Sequence, residues 1–257
     1  MLANISYKGV SAKMPSRYTN NLKQLDTYIL KINNQIEDDK IKKLFCYISE
    51  EKKQRILRFH RFEDAQRTLL GDILARYAIC IRTGVQNKDL LFDTNEFGKP
   101  ILISPNGIHF NISHSGDYVV CVTDEKAVGI DIEVIKPIDF NIAERFFSED
   151  EYLSLINQPK ELQTRYFYMI WTLKESYIKA EGKGLNIPLD SFEIKPENLK
   201  LNTILKEYKE KEMEYHFHQF FLSDDTIYAI CTQNNDSFCK ATIFDAEDFI
   251  PRAVSIL

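Results

Sequence analysis

The chain has 257 residues, of which 44% are hydrophobic and 28% charged, and its formal net charge is −5 at pH 7. This composition is typical of a folded globular protein rather than a disordered one, and the length allows one large domain or two of about 120 residues each. The acidic balance argues against a general nucleic-acid-binding role, which normally needs a basic excess. Any basic site must therefore be local to one part of the chain.

The five cysteines indicate a protein with reduced thiols. Their number is odd and no two form a Cys-x-x-Cys pair; they are Cys46, Cys80, Cys121, Cys231 and Cys239. Such a pattern is typical of core cysteines in a cytoplasmic protein. No apolar run approaches the length of a membrane span, and the N-terminus lacks the hydrophobic segment of a secretory signal. We therefore expect a cytoplasmic protein without a membrane partner.

The N-terminal part of the sequence predicts an extension followed by a strand and a helix. Residues 1–26 are polar and weakly patterned, and we interpret them as an extension of uncertain order. The segment Tyr28–Ile32 is rich in aromatic and branched residues, which favours a strand. Asp38 or Asp39 can then cap a helix whose apolar residues recur at helical spacing.

Two further predicted helices carry a local concentration of positive charge. Ser49 can cap the first, and the second, from Glu63 to Ile81, ends before Gly84. Six cations fall in this part of the chain: Lys52, Lys53, Arg55, Arg58, Arg61 and Arg67. In an acidic protein such a cluster is either a solvated helix face or a phosphate-binding surface, and its position alone favours neither.

Short strands and turns follow, and they present polar side chains at a strand end. A turn around Gly98 presents Lys99 from a loop. The strand predicted over 109–116 runs into small polar residues, among them Ser113 and His114, which together with free backbone N–H groups can bind an anion. A lone histidine is also a common structural residue, so both interpretations of His114 stay open.

The most informative stretch is Val128–Val134, whose apolar residues alternate with the period of a strand. Asp131 and Glu133 then project from the same face, with Cα atoms about 6.6 Å apart. Two carboxylates at this distance can converge on one hard cation, and their mutual repulsion favours a metal or a proton between them. The alternative is a half-exposed strand whose solvent face is acidic.

The longest predicted helix, from Glu161 to Glu181, carries Trp171, Glu175 and Lys179 at successive i+4 steps. Glu175 ahead of Lys179 is also the favoured order for a surface ion pair worth about 0.3–0.5 kcal/mol, so a purely structural role stays open. In the helix predicted over about 141–156, Glu151 follows Ser148 at the spacing of a capping box, which explains its position structurally.

The rest of the sequence predicts strands at Phe192–Ile194, Tyr215–Leu222 and Ile227–Thr232. The two halves of the chain have similar content, each with helices and short strands, and they meet near residue 125. A two-lobed body with a site in the seam is the natural inference.

Taken together, five segments resemble the signature blocks of phosphopantetheinyl transferases of the surfactin-synthetase-activating (Sfp) type, in the same order and spacing. They are Arg67–Asp72 (RTLLGD), Gly98–Pro100 (GKP), Phe110–Ser115 (FNISHS), Val128–Glu133 (VGIDIE) and Trp171–Lys179 (WTLKESYIK). Each block is a weak signal by itself, but five in order are a strong one. Arg55 stands where the family pattern has Lys, and Ser176 replaces a commoner Ala.

The resemblance implies an α+β fold of two similar lobes related by a pseudo-twofold, each with a small sheet packed on helices. We place the N-terminal lobe at 27–125 and the C-terminal lobe at 126–257 of a monomer, with coenzyme A bound between them. The implied reaction transfers 4′-phosphopantetheine from coenzyme A to a serine of an apo carrier protein, depends on Mg²⁺, and releases adenosine 3′,5′-bisphosphate.

The resemblance also implies the residues of the site. The implied metal ligands are Asp131, Glu133 and Glu175, although Glu175 is alternatively the base that deprotonates the carrier serine, and the two roles compete. Lys179, which would stabilise charge on the phosphates, and His114 complete the implied catalytic set. The implied coenzyme A contacts are Lys52, Arg55, Arg67, Thr68, Lys99, Ser113, His114 and Lys179.

The implied partners are apo carrier proteins or carrier domains of peptide, polyketide or fatty-acid synthases, and neither nucleic acid nor membrane. A different hypothesis is a non-catalytic module that binds coenzyme A or carrier proteins through the same basic pocket. The acids Asp131, Glu133 and Glu175 speak against that hypothesis, because binding alone does not need paired carboxylates.

Overall fold

The structure, a computed structural model, describes residues 23–33, 36–194, 215–234 and 237–257. The strands in these ranges are β1 (Lys23–Lys31), β2 (Leu91–Thr94), β3 (Pro100–Ser104), β4 (His109–Ser115), β5 (Tyr118–Asp124), β6 (Val128–Val134), β7 (His216–Ser223), β8 (Thr226–Thr232) and β9 (Ser237–Asp245). The α-helices in these ranges are α1 (Asp38–Leu44), α2 (Glu50–Ile56), α3 (Phe62–Thr83), α4 (Asn141–Phe146), α5 (Glu149–Ile156), α6 (Lys160–Glu181) and α7 (Ala246–Ile256). The mixed content confirms the predicted α+β class.

The two long helices, α3 and α6, are each 22 residues long and end at a glycine. Gly84 and Gly182 both adopt a left-handed conformation, with φ of 70° and 74°. Glycine reaches this conformation without steric cost, and it allows the last helical carbonyls to find partners. The chain can therefore turn sharply into the strand or loop that follows each helix.

Two main sheets lie beside these helices. The first has the strand order β4-β5-β1-β9, in which β1 is antiparallel to β5 and parallel to β9, and the second has the order β6-β8-β7. Helices α3 and α7 cover one face of the first sheet and bury a core around Leu70, Tyr77 and Phe249. Helix α6 covers the second sheet and buries a core around Tyr177 and Phe217.

The inner faces of the two sheets share a third core, which forms the seam of the molecule. It contains Ile29 of β1, Val122 of β5, Ile130 of β6 and Ile230 of β8, all of them 0% exposed. Each half thus places one small sheet between the seam and a 22-residue helix, as the prediction of two similar lobes requires. Burial of this apolar surface stabilises the association of the halves.

The predicted division into lobes of 27–125 and 126–257 stays a prediction, but the end of the chain crosses it. Strand β9 pairs with β1 along its whole length, and α7 packs into the core of the first sheet. This pairing also explains why β1 begins at Lys23, earlier than the sequence pattern predicted. Of the predicted N-terminal extension, residues 1–22 lie outside the described part of the chain.

Two local predictions were wrong, one in the limits of a helix and one in the type of structure. The helix predicted over 141–156 is two helices, because Phe147 is extended and Ser148 caps a new helix. The strand predicted at Phe192–Ile194 is irregular. Its polar groups bond to side chains instead of a neighbouring strand: the carbonyl of Phe192 accepts a hydrogen bond from Lys174, and the N–H of Ile194 donates to Glu151.

All five cysteines are free thiols, but Cys46 is exposed, so the prediction of core cysteines is wrong for this residue. Within the described residues, no helix combines the length and the apolar character that crossing a membrane requires.

Candidate active site

The candidate site is a cleft of about 370 Å³ at the place where β4, β6 and α6 meet. Six of the predicted site residues line it, together with two residues that the prediction did not assign. The lining residues are Ile112, Ser113, His114, Asp131, Glu133, Trp171, Glu175 and Lys179. The structure therefore brings the end of β4, the acidic strand β6 and the long helix α6 together in one site.

Strands β4 and β6 are joined by side chains instead of a backbone ladder. Three alternate residues of β4, Asn111, Ser113 and Ser115, accept hydrogen bonds from three alternate backbone N–H groups of β6. The donor–acceptor distances are 2.9 Å for Ile130, 3.4 Å for Ile132 and 3.2 Å for Val134. These side chains satisfy N–H groups that face away from β8, and they fix the acids of β6 at the level of Ser113 and Ser115.

Strand β6 and helix α6 approach each other closely because Gly129 has no side chain. A Cβ atom at Gly129 would lie 2.1 Å from the carbonyl oxygen of Ser176 and 2.4 Å from the backbone nitrogen of Ala180. No real side chain fits at these distances, so glycine is required here. The close approach brings Glu175 and Lys179 on α6 within reach of the acids on β6.

Asp131 is the buried centre of the site, with only 3% of its surface exposed. Its Oδ1 atom accepts hydrogen bonds from Lys179 Nζ at 2.5 Å and from Ser113 Oγ at 3.0 Å. Its Oδ2 atom is buried and has no hydrogen-bond partner among the described residues. The alternative of a half-exposed acidic strand is therefore wrong for Asp131, because its carboxylate faces α6 instead of solvent.

Lys179 forms the ion pair of the site with Asp131 and not with Glu175. Its ammonium also donates to Ser113 Oγ at 3.0 Å, so it connects β4, β6 and α6. The Glu175 carboxylate makes no hydrogen bond or ion pair with any residue in the described ranges. A surface ion pair between Glu175 and Lys179 thus does not explain their spacing, and Glu175 remains available to a substrate.

The three acids share a site that makes their negative charge unfavourable. Burial and the nearby charge of Asp131 raise the pKa of Glu133 to about 7, although Ser115 Oγ donates a hydrogen bond to it at 2.8 Å. Burial and Asp131 also raise the pKa of Glu175. Burial raises the pKa of Asp131 as well, and the Lys179 ammonium opposes that rise. A bound cation would remove this penalty for all three.

The donor set fits a hard divalent cation. Asp131 Oδ2 is an unpaired buried oxygen, Glu133 lies two residues further along the same strand, and carboxylate oxygens are the ligands that Mg²⁺ prefers. Among the described residues, however, no three or more His, Cys, Asp or Glu side chains already surround a metal position. The predicted ligands Asp131, Glu133 and Glu175 do not form a closed cage, so a cation here would need oxygens from its substrate or from water.

His114 and Trp171 form the rim and wall of the cleft. Burial of the imidazole and the nearby cations Arg67 and Lys179 lower the pKa of His114, so it is neutral at pH 7 and can donate or accept a hydrogen bond. Trp171 stacks on Phe167 with ring centroids 5.6 Å apart, which fixes the indole against the cleft. The i+4 spacing of Trp171 with Glu175 had already placed it on this face.

The remaining predicted coenzyme A contacts lie outside the lining of the cleft. Lys52 Nζ pairs with Asp72 at 2.6 Å, and Thr68 donates to a carbonyl of its own helix. Arg67 pairs with Asp64 and also donates to the Gly116 carbonyl at the end of β4. Arg55 is exposed, and no residue in the described ranges forms an ion pair with it.

Lys99 points into the protein instead of into solvent. Its ammonium donates to the carbonyl oxygens of Lys179 at 2.6 Å, Val128 at 3.2 Å and Ala180 at 3.3 Å. Burial lowers the pKa of Lys99 to about 8. Three carbonyls thus accept from the three N–H donors of the ammonium, and the contact of Lys99 with coenzyme A stays a prediction.

Glu151 is part of the framework of the second half. It forms the predicted capping box with Ser148, and its carboxylate pairs with Lys174 at 2.7 Å and accepts the N–H of Ile194 at 2.7 Å. Both charged side chains are almost completely buried, at 0% exposure for Lys174 and 2% for Glu151. Because Lys174 precedes Glu175 on α6, this pair holds the helix in the rotation that turns Glu175 toward the cleft.

The fold and the cleft define a class of protein, and comparison with known families agrees. The family model described as 4′-phosphopantetheinyl transferase superfamily matches residues 127–231, and the model described as 4′-phosphopantetheinyl transferase, N-terminal, matches residues 35–126. The chain belongs to the 4′-phosphopantetheinyl transferase superfamily. It is a transferase of the kind that moves 4′-phosphopantetheine from coenzyme A to carrier proteins.

Individual relatives place the chain with the Sfp type. It is 45% identical over 168 residues to 4′-phosphopantetheinyl transferase Sfp of Bacillus subtilis (strain 168), which covers 65% of this chain and 75% of that protein. It is 40% identical over 188 residues to 4′-phosphopantetheinyl transferase gsp of Aneurinibacillus migulanus, covering 73% and 78%. A human L-aminoadipate-semialdehyde dehydrogenase-phosphopantetheinyl transferase is 31% identical over 226 residues, covering 79% and 73%. The resemblance expected from the five sequence blocks is thus confirmed.

Proposed function

We propose that the cleft between β4, β6 and α6 transfers 4′-phosphopantetheine to a serine of an apo carrier protein in a Mg²⁺-dependent reaction. The observation that carries the proposal is that Asp131, Glu175 and Lys179 line the same cleft. Within the described residues, Asp131 Oδ2 and the Glu175 carboxylate have no hydrogen-bond partner. A pyrophosphate needs cations to hold it and a base to activate its acceptor. The cleft offers residues for both tasks.

In the proposed reaction the serine oxygen of the carrier attacks the phosphorus that bears the pantetheine arm. A new O–P bond forms, the O–P bond to the adenosine bisphosphate breaks, and adenosine 3′,5′-bisphosphate leaves. The serine proton passes to Glu175, whose pKa is raised by burial and by Asp131, which makes it a stronger base than an exposed carboxylate. The predicted alternative, that Glu175 is a third metal ligand, stays a prediction.

The acids on β6 are proposed to hold Mg²⁺. Asp131 and Glu133 would bind the ion, which would neutralise charge on the pyrophosphate when present. Lys179 lies beside Asp131 Oδ1 and would donate to a phosphate oxygen. His114, at the rim, would donate a further hydrogen bond to phosphate, and Arg67 adds positive charge behind Gly116. Ser113 would donate to phosphate in exchange for its present hydrogen bond to Asp131 Oδ1.

The basic residues outside the cleft are proposed to reach the more distant parts of coenzyme A. Arg55 is exposed and has no ion pair within the described residues, so its guanidinium is free to bind a phosphate. Lys52 lies on α2 together with Arg55, and Thr68 lies on α3. Both remain predicted contacts of coenzyme A. Their present partners, Asp72 and a helix carbonyl, would have to be exchanged or shared on binding.

The proposed partners are carrier proteins or carrier domains of peptide, polyketide or fatty-acid synthases, with peptide synthetases as the first choice. We further propose that the enzyme is a monomer in the cytoplasm. The first half of the chain supplies Ser113 and His114 and the second half supplies Asp131 and Glu175, so one chain is sufficient to form the cleft. Five free thiols suit a reducing compartment. Light scattering coupled to gel filtration tests the monomer, and a mass of two chains at assay concentrations would contradict it.

The test of the function mixes the protein with coenzyme A, Mg²⁺ and an apo peptidyl carrier protein and follows the mass of the carrier. The expected result is a phosphopantetheine adduct that needs Mg²⁺ and that a carrier with its acceptor serine replaced by alanine does not form. Absence of the adduct on several apo carriers, while coenzyme A still binds, would favour the non-catalytic binding module instead.

A further inference from the structure

The loop between β2 and β3 docks on the C-terminal end of α6, across the seam of the molecule. Asn95 Nδ2 donates to the carbonyl of Gly182 at 2.7 Å, and Lys99 Nζ donates to the carbonyls of Lys179 and Ala180 at 2.6 and 3.3 Å. The contact is tight, because a Cβ atom at Gly182 would lie 2.9 Å from Lys99 Cδ. A loop of the first half therefore caps a helix of the second.

The loop is itself held in shape by the side chain that reaches across. Asn95 Oδ1 accepts hydrogen bonds from the backbone N–H groups of Phe97 at 3.0 Å and Lys99 at 2.8 Å. The N–H of Asn95 donates to the carbonyl of Lys99 at 2.9 Å, which closes the turn. Asn95 thus orients Lys99 and contacts α6 at the same time.

We propose that Lys99 and Asn95 are positioning residues for the transfer reaction, which hold the last turn of α6 so that Lys179 stays on Asp131. The backbone carbonyl of Lys179 is bound by Lys99 while its side chain reaches Asp131 and Ser113. The same Lys99 ammonium also binds the carbonyl of Val128 at the start of β6. One cation therefore connects the helix that carries Lys179 to the strand that carries Asp131.

The physical basis is the interaction of a cation with the backbone carbonyls at the C-terminal end of α6. The last carbonyls of a helix lack intrahelical partners, and a cation there interacts favourably with the helix dipole. The Lys99 ammonium is buried and its three donors match three carbonyls, so no water replaces it at low cost. Without the ammonium, the turn of α6 that carries Lys179 would lose this connection to β6. An error of about 1 Å in the position of a catalytic group can cost about 100-fold in rate.

The test compares Lys99→Met, which keeps the chain length and removes the ammonium, with Lys88→Met, the same change at an exposed lysine of the same half. Steady-state kinetics are measured with coenzyme A and with 3′-dephospho-coenzyme A. For Lys99→Met we expect kcat to fall by about 10- to 100-fold, with KM for coenzyme A within about twofold and an equal loss with the dephospho substrate. Lys88→Met should leave both constants unchanged.

A phosphate contact gives the opposite pattern and would overturn the inference. In that case Lys99→Met raises KM for coenzyme A, leaves kcat unchanged, and has no effect with 3′-dephospho-coenzyme A. An unchanged kcat and KM would also overturn it. If Lys99→Met fails to fold, Asn95→Asp decides in its place, because it keeps the acceptor oxygen of the turn and replaces the donor to Gly182 by a charged oxygen that repels the Gly182 carbonyl.

The inference rests on the role proposed for Lys179, and a double-mutant cycle separates the two. If Lys99 acts through Lys179, then Lys99→Met should slow single-turnover transfer no further in a Lys179→Ala background. Full additivity would refute the positioning role. If Lys179→Ala itself retains normal transfer, the role proposed for Lys179 fails, whereas loss in Lys179→Ala with a normal rate in Lys99→Met refutes the positioning role alone.

Discussion

The raised pKa of Glu133 predicts a metal-free protein that becomes less stable as the pH rises. Burial and the Asp131 charge hold this pKa at about 7, against a usual value of 4.5. The folded state therefore binds more protons than the unfolded state between these two values, and its stability falls as the pH rises from 4.5 to 7. Below pH 4.5 the penalty is absent, and above pH 7 it is fully developed.

The size of the effect follows from the same shift. A difference of 2.5 pKa units between 4.5 and about 7 corresponds to about 3 kcal/mol at about 1.36 kcal/mol per unit. Solvent that reaches the cleft screens part of this penalty. Glu133→Gln removes the titration at similar volume, so the variant should gain stability over wild type at pH 8 and match it near pH 4.5. Asp131 and Glu175 shift in the same direction and remain in both proteins.

The assay is urea unfolding followed by circular dichroism at several pH values between 4.5 and 8, with EDTA or with Mg²⁺. In EDTA the difference between Glu133→Gln and wild type should grow with pH and stay below about 3 kcal/mol, because solvent screens part of the penalty. Mg²⁺ should stabilise wild type increasingly as Glu133 ionises, and Glu133→Gln much less. The same pH slope in both proteins in EDTA would refute the reasoning, because the slope would then come from other groups.

Three further substitutions test the packing and charge of the site. Gly129→Ala should push α6 away from β6, since its Cβ would lie 2.1 Å from the Ser176 carbonyl oxygen. We expect the free energy of unfolding to fall by about 1–3 kcal/mol and kcat to fall by about 100-fold. Normal kinetics would contradict this. Lys174→Met leaves Glu151 charged and buried, so urea unfolding should show a loss of about 3–5 kcal/mol. A loss of less than about 1 kcal/mol, as expected for a surface change such as Lys88→Met, would contradict it. Asp131→Asn should lower carrier modification by at least about 100-fold with an unchanged circular dichroism spectrum, and retained transfer at ordinary Mg²⁺ concentrations would remove Asp131 from the site.

Local rules predicted the parts of the site that lie on single elements. The alternation of Val128–Val134 placed Asp131 and Glu133 on one face, and the i+4 spacing on α6 placed Trp171, Glu175 and Lys179 together. The capping box at Ser148 was also predicted, because its two partners are three residues apart. These features depend only on the geometry of one helix or one strand.

The same local rules could not predict contacts between segments that are distant in the sequence. Lys179 pairs with Asp131, which is 48 residues away, instead of with Glu175 one turn earlier on the same helix. The side chains of β4 that bind the N–H groups of β6 join the two strands, whereas the sequence indicated only that polar residues at this strand end can bind an anion. The turn around Gly98 predicted that Lys99 is presented from a loop, but not that its ammonium donates to three carbonyls at the end of α6 and the start of β6. Tertiary packing decides such contacts, and no periodicity reports them.

The parallel pairing of β1 with β9 has a consequence for how the molecule assembles. In this sheet β9 supplies the partner of the outer edge of β1, and it is separated from β1 by more than 200 positions in the sequence. During synthesis the edge of β1 that binds β9 therefore stays open until β9 has left the ribosome. A fragment that ended after β5 would keep that edge exposed and would be expected to aggregate. The sheet that carries β4 of the cleft therefore depends for its completion on a strand that follows β6 and α6 in the sequence.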